Sequence, residues 1–156
     1  MIADYDQIMM RDSIVGLSTY HGSRTSHAIF SNRISYFFDW HGTSMTIDIE
    51  CSASLVLLHQ AVQQLRMGIS RISIAGGANL IMDSKCFIFL SSLNRLSPDR
   101  RFRMWDADAK GYARGEGIGA VVLKTLSSAL EDGGDIESLI RETGRAQDGK
   151  TQGITS

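Results

Sequence analysis

Cys51 is the residue whose neighbourhood best suits covalent chemistry. In "TIDIECSASLVLLHQAVQQL", residues 46–65, strand-like alternation changes at this cysteine to the three- and four-residue spacing of a helix. At a helix N-terminus, unpaired N–H groups and the helix dipole favour a thiolate and can also hold an oxyanion. The pattern therefore predicts a nucleophile that attacks carbonyl carbon. It also fits a small buried apolar residue at a strand end, so that interpretation stays open.

The preceding residue, Glu50, is expected to hinder a thiolate at Cys51. At roughly 7 Å, a carboxylate opposes a thiolate by about 2.4 kcal/mol at an effective dielectric of 20, and by about 0.6 kcal/mol in water. The larger figure cancels the roughly 0.3 to 2 kcal/mol that a helix terminus offers an anion. Neighbouring side chains of a strand point to opposite faces, so Glu50 can instead reach solvent. The second cysteine, Cys86 in the apolar run "CFIFL", is predicted to belong to the core.

None of the four histidines is placed by the sequence as a partner for Cys51. His41, in "HGTS", precedes the cysteine, and His59 lies two turns into the helix that follows it. His21 and His27 fall in a loop-like N-terminal part. A cysteine hydrolase needs an imidazole base beside the thiol, so the sequence disfavours that class of enzyme.

Two ligand-binding motifs are suggested by the glycine-rich loop and then excluded. "DADAKGYARGEG" has Asp106, Asp108 and Gly111 at the first, third and sixth places of a calcium loop. Lys110 and Gly117 occupy the fifth and twelfth places, where oxygen ligands are required, so no metal site is predicted. A dinucleotide fingerprint follows a strand and opens a helix, whereas "RGEGIG" precedes a strand.

The glycines of this loop and its arginines have other interpretations. Gly115, Gly117 and Gly119 are expected to permit a tight loop near the turn that carries Cys51. The three arginines of "SPDRRFR", residues 97–103, form a basic cluster. Such a cluster is either a solvated surface or a contact for an acidic partner.

The elements that must position Cys51 alternate between helix and strand. The helix "AIFSNRISYFFDW" is predicted to turn Ile29, Ile34, Phe37 and Phe38 inward. Strand, helix and strand around Cys51 imply a right-handed parallel crossover. The predicted elements, in chain order, are a short helix and loop in 1–27, the helix in 28–40, a strand at 44–50, a helix from Ser52 to near Gly68, a strand at 70–81, a short helix after Asp83, a long loop, a strand at 120–123, a helix ended by Gly133 and Gly134, and a last strand in 136–149.

Composition indicates one globular domain without a strongly charged partner. The chain has 156 residues, 43% of them hydrophobic, and a formal net charge of −1, which gives no general case for nucleic acid or an anionic membrane. No apolar run approaches the roughly 18 to 20 residues that span a bilayer. The N-terminal "MIADYDQIMMRDS" lacks the features of a signal peptide, and only two cysteines occur. A cytoplasmic protein is expected.

Five segments, in order, resemble one known family. They are "SNRISYFFDWHGTSMTIDIECSASL", "AGGANLI", "LSPD", "WDADAKGYARGEGIGAVVLK" and "TGRAQDGKTQGIT". Together they are similar to β-ketoacyl synthase domains of polyketide synthases, in which Asp-Thr-Ala-Cys-Ser-Ser-Ser-Leu opens a helix. The variants resemble those of fungal reducing, iterative synthases.

The resemblance implies an α/β, thiolase-like fold, with a mixed sheet and a buried helix that bears the nucleophile. Residues 1–156 would be a partial domain, the N-terminal half of that fold without its opening strands. Cys51 would be the catalytic residue, taking an acyl chain from acyl carrier protein as a thioester. A carbanion from decarboxylation of a malonyl thioester would then attack it. Such domains are homodimers without a metal or redox cofactor, and the phosphopantetheine arm belongs to the carrier protein.

The sequence also departs from the family's pattern. Two histidine motifs, His-Gly-Thr-Gly-Thr and Asn-x-Gly-His, lie in the family beyond the "QDGKTQGIT" match, and this sequence contains neither. Ile49, Glu50 and Ala53 replace threonine, alanine and serine, and Arg145 with Ala146 alters the "NQDG" element. We therefore expect no condensation by the chain alone. The alternative is a non-catalytic remnant, or a module for dimerisation and interaction, with the same fold.

Overall fold

The computed structural model describes Tyr20, Gly22, Ser23 and residues 26–152. The short helix and loop predicted over 1–27 lie almost wholly outside these residues. Within them, four α-helices, two strands and one 3-10 turn are formed. In chain order these elements are α1 (Ile29–Phe38), the 3-10 turn Glu50–Ser52, α2 (Ala53–Arg66), β1 (Ile72–Asn79), α3 (Lys85–Ser92), β2 (Gly117–Lys124) and α4 (Leu126–Glu131).

The chain divides into two compact units. One comprises Met1–Thr46 and Gly77–Gly119, and the other comprises Ile47–Gly76 and Ala120–Ser156. β1 and β2 pair to form a two-stranded sheet. No helix among the described residues is long and apolar enough to cross a membrane.

Helix α1 forms as predicted, but its apolar face is not covered. The helix ends where Asp39 adopts a left-handed conformation with φ of 52°. Ile34 and Phe38 are exposed, and Phe37 is 79% exposed, so the predicted inward face is wrong for these three residues. An amphipathic pattern states which side of a helix can be buried. Burial itself requires an element packed against that side.

The segment after α1 does not form the strand predicted at 44–50. Its residues before the 3-10 turn have no regular secondary structure. Hydroxyl groups tie it to α1 instead: Ser35 Oγ donates to Ser44 Oγ at 3.2 Å, and Thr46 Oγ1 donates to Ser31 Oγ at 3.2 Å. An alternating pattern becomes a strand only when a neighbouring strand takes its N–H and C=O groups. In the described part of the chain the sheet consists of β1 and β2, so the predicted crossover is also wrong.

Helix α2 carries the core of the second unit. Ala61, Val62 and Leu65 recur at helical spacing and are buried, as is Ala75 of β1. At the opposite end of the predicted stripe, Leu55 is 71% exposed. The helix ends at Arg66, close to the predicted stop, where glycine at 68 takes a φ of +69°.

The long loop between α3 and β2 is held by a short backbone pairing. Leu96 and Tyr112 form an isolated parallel bridge. The N–H of Ser97 donates to the carbonyl of Tyr112 at 3.0 Å, and the N–H of Tyr112 donates to the carbonyl of Arg95 at 3.1 Å. Gly111, with a φ of +113°, brings the chain back beside this pair. The loop is therefore closed by backbone contacts at its two ends.

The last helix is short and well capped, and the strand predicted after it does not form. Thr125 Oγ1 accepts the N–H of Ser128, and the Lys124 ammonium pairs with the Asp132 carboxylate. That ammonium donates a hydrogen bond to Asp132 and holds the pKa of this carboxyl below its ordinary value. From residue 134 to residue 151 the chain has no helix or strand, so the predicted strand in 136–149 is wrong.

Candidate functional site

Cys51 lies on the turn that leads into α2. It is a free, exposed thiol within the 3-10 turn, one residue before Ser52, which is the N-cap of the helix. The predicted position at the start of a helix is therefore confirmed, although the turn is not preceded by a strand. The alternative of a small buried apolar residue is wrong, because the side chain is exposed. The thiol is open to a reagent from solvent and adjoins the first turn of α2, whose N–H groups lack partners earlier in the helix.

The backbone before Cys51 has an unusual shape. Glu50 adopts a φ of 59°, in the left-handed region. This conformation costs an ordinary L residue roughly 1–2 kcal/mol. The N–H of Glu50 donates to Asp48 Oδ1 at 3.1 Å, and the carbonyl of Glu50 accepts the N–H of Ala53. The sequence reasoning missed Asp48; an aspartate two residues before a tight turn was the available signal, because such side chains accept the N–H two residues on.

The carboxylate of Glu50 is exposed to solvent and is not enclosed in a buried site. At the separation of roughly 7 Å assumed from the sequence, solvent screening brings its opposition to a thiolate near the aqueous figure of about 0.6 kcal/mol. Glu50 is then a handicap comparable in size with the roughly 0.3 to 1 kcal/mol that an exposed helix terminus offers an anion.

His59 lies on α2 but is engaged away from Cys51. Its Nδ1 is 2.8 Å from Thr143 Oγ1, within hydrogen-bond distance. Eight residues of helix separate it from Cys51, which corresponds to a rise of about 12 Å. His59 is half-buried, as expected of a packed residue, and serves to hold the segment that follows α4.

The other histidines have local contacts. His41 Nε2 lies 3.4 Å from Asp39 Oδ1, and its side chain is 88% exposed. The ring of His27 stacks on that of Phe30 with centroids 5.3 Å apart. His21 lies outside the described residues. Among the described histidines, only His59 belongs to the same compact unit as the cysteine.

Cys86 and the acidic loop residues have structural surroundings. The Cys86 thiol on α3 is only partly buried, which corrects its assignment to the core; on that helix the buried residue is Leu90. In the loop, Asp106 Oδ1 accepts the N–H of Asp108 at 2.9 Å, as in an Asx turn. Within residues 26–152 no group of three or more His, Cys, Asp or Glu side chains is arranged to hold a metal ion.

The close backbone approach in the glycine-rich loop falls at a different residue from those predicted. Nothing lies within 4 Å of the Cβ position at Gly115, Gly117 or Gly119. At Gly111 a Cβ would lie 2.6 Å from the carbonyl oxygen of Arg95. A glycine is therefore required at 111, and the expectation for the other three is wrong.

A polar network at the end of β1 was also missed. Asn79 donates to the carbonyl of Gly115 and accepts from Arg114 at 3.3 Å. The N–H of Ile81 donates to Glu116 Oε1 at 2.7 Å. These contacts join residues more than thirty positions apart, so spacing along the chain gives no sign of them. They fix the segment that leads into β2.

The basic cluster is only partly neutralised within its own loop. Arg103 Nη2 lies 3.3 Å from Asp99 Oδ2. Arg100 and Arg101 are exposed. The cluster thus keeps at least part of its positive charge at the surface.

Comparison with known proteins identifies the family of the chain. The family model described as "Beta-ketoacyl synthase, N-terminal domain" matches residues 1–129. The chain belongs to this family, and the α/β, thiolase-like fold class is confirmed.

The relatives are polyketide synthases and their ketosynthase domains. The chain is 58% identical over 155 residues to "Hybrid PKS-NRPS synthetase traA" of Penicillium crustosum, covering 99% of this chain and 4% of that protein. It is 57% identical over 155 residues to "Lovastatin nonaketide synthase mokA" of Monascus pilosus, covering 99% of this chain and 5% of that one. The ketosynthase from module 6 of the bacillaene synthase of Bacillus subtilis 168 superposes with a TM-score of 0.83 at 36% identity, covering 91% of this chain and 26% of that chain. The chain therefore spans about a twentieth of the length of these curated relatives.

Proposed function

We propose that this chain is the nucleophile-bearing part of a polyketide ketosynthase and that Cys51 carries the growing acyl chain. The observation that supports this most directly is the free, exposed thiol at the entrance to α2, in a chain that belongs to the ketosynthase family. A helix N-terminus stabilises an anion and offers N–H groups to a carbonyl oxygen that becomes negative. Both properties suit transfer of an acyl group to sulfur.

The proposed reaction has two steps. The Cys51 thiolate attacks the carbonyl carbon of an acyl thioester; a new carbon–sulfur bond forms at Cys51, and the thiol of the donor leaves with a proton. A malonyl thioester then loses carbon dioxide, and the electron pair of the broken bond becomes a carbanion. The carbanion attacks the Cys51 thioester, a carbon–carbon bond forms, and the Cys51 thiolate leaves. The product is a β-ketoacyl thioester on the second donor.

The second step needs groups that the described residues do not place near the sulfur. Decarboxylation is helped by a positioned imidazole that stabilises the developing enolate oxygen. Among residues 26–152, His59 is the histidine on the same helix, and it lies about 12 Å further along and contacts Thr143. We therefore propose that the chain by itself accepts an acyl group weakly and does not release carbon dioxide from a malonyl thioester.

The proposed partner is an acyl carrier protein, which presents its substrates on a phosphopantetheine thiol. The chain needs no cofactor of its own for thioester exchange, because the sulfur atoms do all the covalent work. The exposed Arg100 and Arg101 offer positive charge to an acidic carrier surface. A second copy of the domain is the other proposed partner, giving the homodimer expected of the family.

The test is acylation of the purified chain. Incubation with a hexanoyl thioester of N-acetylcysteamine should add one hexanoyl group, located at Cys51 by peptide mass spectrometry. Cys51→Ser should abolish the adduct, whereas Cys86→Ser, the matched control, should keep it. An unmodified wild-type chain, or an adduct that survives Cys51→Ser, would refute the assignment. Release of labelled carbon dioxide from malonyl thioester would refute the proposed incapacity for condensation.

A second candidate, the non-catalytic remnant or module for dimerisation and interaction, is favoured by Glu50 and by α1. A carboxylate beside a nucleophile is a handicap, and the exposed Tyr36, Phe37 and Phe38 give α1 an apolar surface suited to contact with another protein. Iodoacetamide at neutral pH separates the two candidates. Labelling of Cys51 much faster than free glutathione supports the nucleophile, and labelling no faster than glutathione supports the module.

A further inference from the structure

The residues just before Cys51 form a tight turn that is fixed at both ends. Glu50 has a φ of 59°, which side chains other than glycine, asparagine and aspartate seldom adopt. Its N–H donates to Asp48 Oδ1 at 3.1 Å, closing an Asx turn over Ile49. Its carbonyl accepts the N–H of Ala53 in the 3-10 turn. The side chain of Asp48 is the group that holds the N-terminal end of this arrangement.

We propose that Asp48 is a positioning residue for Cys51, a role that rests on the nucleophile proposed above. By accepting the N–H of Glu50, its carboxylate keeps residue 50 in the left-handed conformation. That conformation reverses the chain immediately before the cysteine and so decides where the sulfur lies relative to the first turn of α2. Without the acceptor, residue 50 relaxes toward the commoner right-handed or extended regions. The sulfur then moves away from the end of the helix.

The useful property of Asp48 is its hydrogen-bond acceptor, not its charge. A second carboxylate close to Cys51 opposes a thiolate, as Glu50 does. Asparagine keeps an acceptor oxygen at the same place and removes the charge, and alanine removes both. Comparison of Asp48→Asn with Asp48→Ala therefore distinguishes the effect of the hydrogen bond in the turn from the effect of the carboxylate charge on Cys51.

The experiment measures alkylation of Cys51 in the full 156-residue chain. Iodoacetamide is used at neutral pH in about 0.15 M salt, because about 1 M salt would also screen the helix terminus. The single variant Glu50→Gly measures the effect of removing the Glu50 carboxylate. Peptide mass spectrometry gives separate rates for the two cysteines. Cys86 is partly buried on α3 and serves as an internal reference for folding. The variants are Asp48→Asn, Asp48→Ala, Glu50→Gly and the double variant Asp48→Ala/Glu50→Gly.

The expected result is a change confined to Cys51. Asp48→Ala should lower its rate about three- to tenfold, the range that loss of one hydrogen bond gives, while the rate at Cys86 is unchanged. Asp48→Asn should keep at least the wild-type rate, because it retains the acceptor and loses a charge that opposes the thiolate. Glycine adopts positive φ without cost, so Glu50→Gly in the Asp48→Ala background should recover part of the lost rate.

Three outcomes would overturn the proposal. One is an Asp48→Ala rate at Cys51 within a factor of two of the wild type. Another is a parallel rise at Cys51 and Cys86, which would mean that Asp48 stabilises the whole chain. The third is a loss of rate in Asp48→Asn equal to that in Asp48→Ala, because asparagine retains the acceptor. The nucleophile itself is judged separately by the hexanoyl thioester: if wild-type Cys51 takes no acyl group, the proposed function fails while the alkylation rates still report the turn.

Discussion

Replacement of Gly111 by alanine should disrupt the pairing that closes the long loop. A Cβ at this position would lie 2.6 Å from the carbonyl oxygen of Arg95, 2.8 Å from the carbonyl carbon of Leu96 and 2.9 Å from the nitrogen of Ser97. All three atoms belong to the backbone, so no rotamer change can relieve the contact. The chain must move apart at the Leu96–Tyr112 bridge.

The size of the effect at Gly111 follows from two costs. A φ of +113° is strained for alanine, which costs roughly 1–3 kcal/mol. Separation of the two segments breaks the backbone hydrogen bonds from Ser97 to Tyr112 and from Tyr112 to Arg95. Each is worth about 0.5–1.5 kcal/mol net. The free energy of unfolding, or of local opening of the loop, should therefore fall by roughly 2–6 kcal/mol.

The measurement combines urea unfolding, followed by circular dichroism, with tryptic digestion. Cleavage after Arg95 reports the loop directly, because the carbonyl of that residue accepts a hydrogen bond from Tyr112 in the closed form. Proteolysis of a transiently opened segment follows the population of the open form. Gly115→Ala is the matched control, since nothing lies within 4 Å of its Cβ position and its φ is not in the left-handed region.

The reasoning fails if Gly111→Ala behaves like the control. Unfolding free energies within about 0.5 kcal/mol of each other, the usual range for an unimportant surface substitution, would show that the backbone contact is relieved at little cost. An unchanged rate of cleavage after Arg95 would show that the bridge survives. Either result would remove Gly111 as the residue that closes the loop.

Three further predictions concern the second unit. Thr125→Ala should lower the unfolding free energy by about 0.5–1 kcal/mol, because α4 loses its N-cap acceptor; Thr125→Ser should not, and a urea titration that finds the two alike would contradict the cap. Asp132→Asn should lower the urea midpoint at neutral pH. Because the ion pair with Lys124 holds the pKa of Asp132 below 3.8, the wild-type advantage should be complete above pH 3.8 and lost as the pH falls through the lowered value; an advantage independent of pH would contradict it. His59→Ala should leave alkylation of Cys51 within about twofold of the wild type, and a larger loss would link the imidazole to the thiol.

Local patterns in the sequence were sufficient for the helices and for the position of the candidate nucleophile. The period that begins after Cys51 depends on residues three and four apart, and α2 follows it from Ala53 to Arg66. The stops near Gly68 and at Gly133 and Gly134 were also predicted from glycine residues alone, and Gly68 and Gly133 adopt a positive φ. Signals of this kind lie within the element that they specify.

The strands predicted at 70–81 and 120–123 form as β1 and β2. The strands predicted at 44–50 and 136–149 and the buried face of α1 are wrong, because a strand or a buried face requires a partner that the pattern does not name. The alternation in 44–50 is a property of that segment alone, whereas a strand needs a neighbour for its N–H and C=O groups. The apolar side of α1 is likewise real, yet Ile34 and Phe37 remain exposed. The wrong predictions therefore fall where the structure depends on a second element.

The site shows the same division. Cys51 was found from its place at a change of period. Asp48 acts through a backbone N–H two residues away, and Gly111 acts through atoms of residues 95–97. Neither role can be predicted from the spacing of apolar residues. The role of Asp48 could have been predicted from the preference of aspartate for turns, whereas the role of Gly111 depends on how the folded chain places residues 95–97.

The segment that follows α4 has a consequence for how this chain fluctuates. It is fastened to α2 by side chains: Arg66 donates to Glu142 Oε2 at 3.1 Å and to the carbonyl of Arg141 at 2.7 Å, and His59 contacts Thr143. Such side-chain hydrogen bonds can break one at a time, whereas the backbone hydrogen bonds of a paired strand tend to break together. Amide hydrogens of residues 136–149 should thus exchange with deuterium by brief local excursions, long before those of the α2 interior, which open only with the unit as a whole.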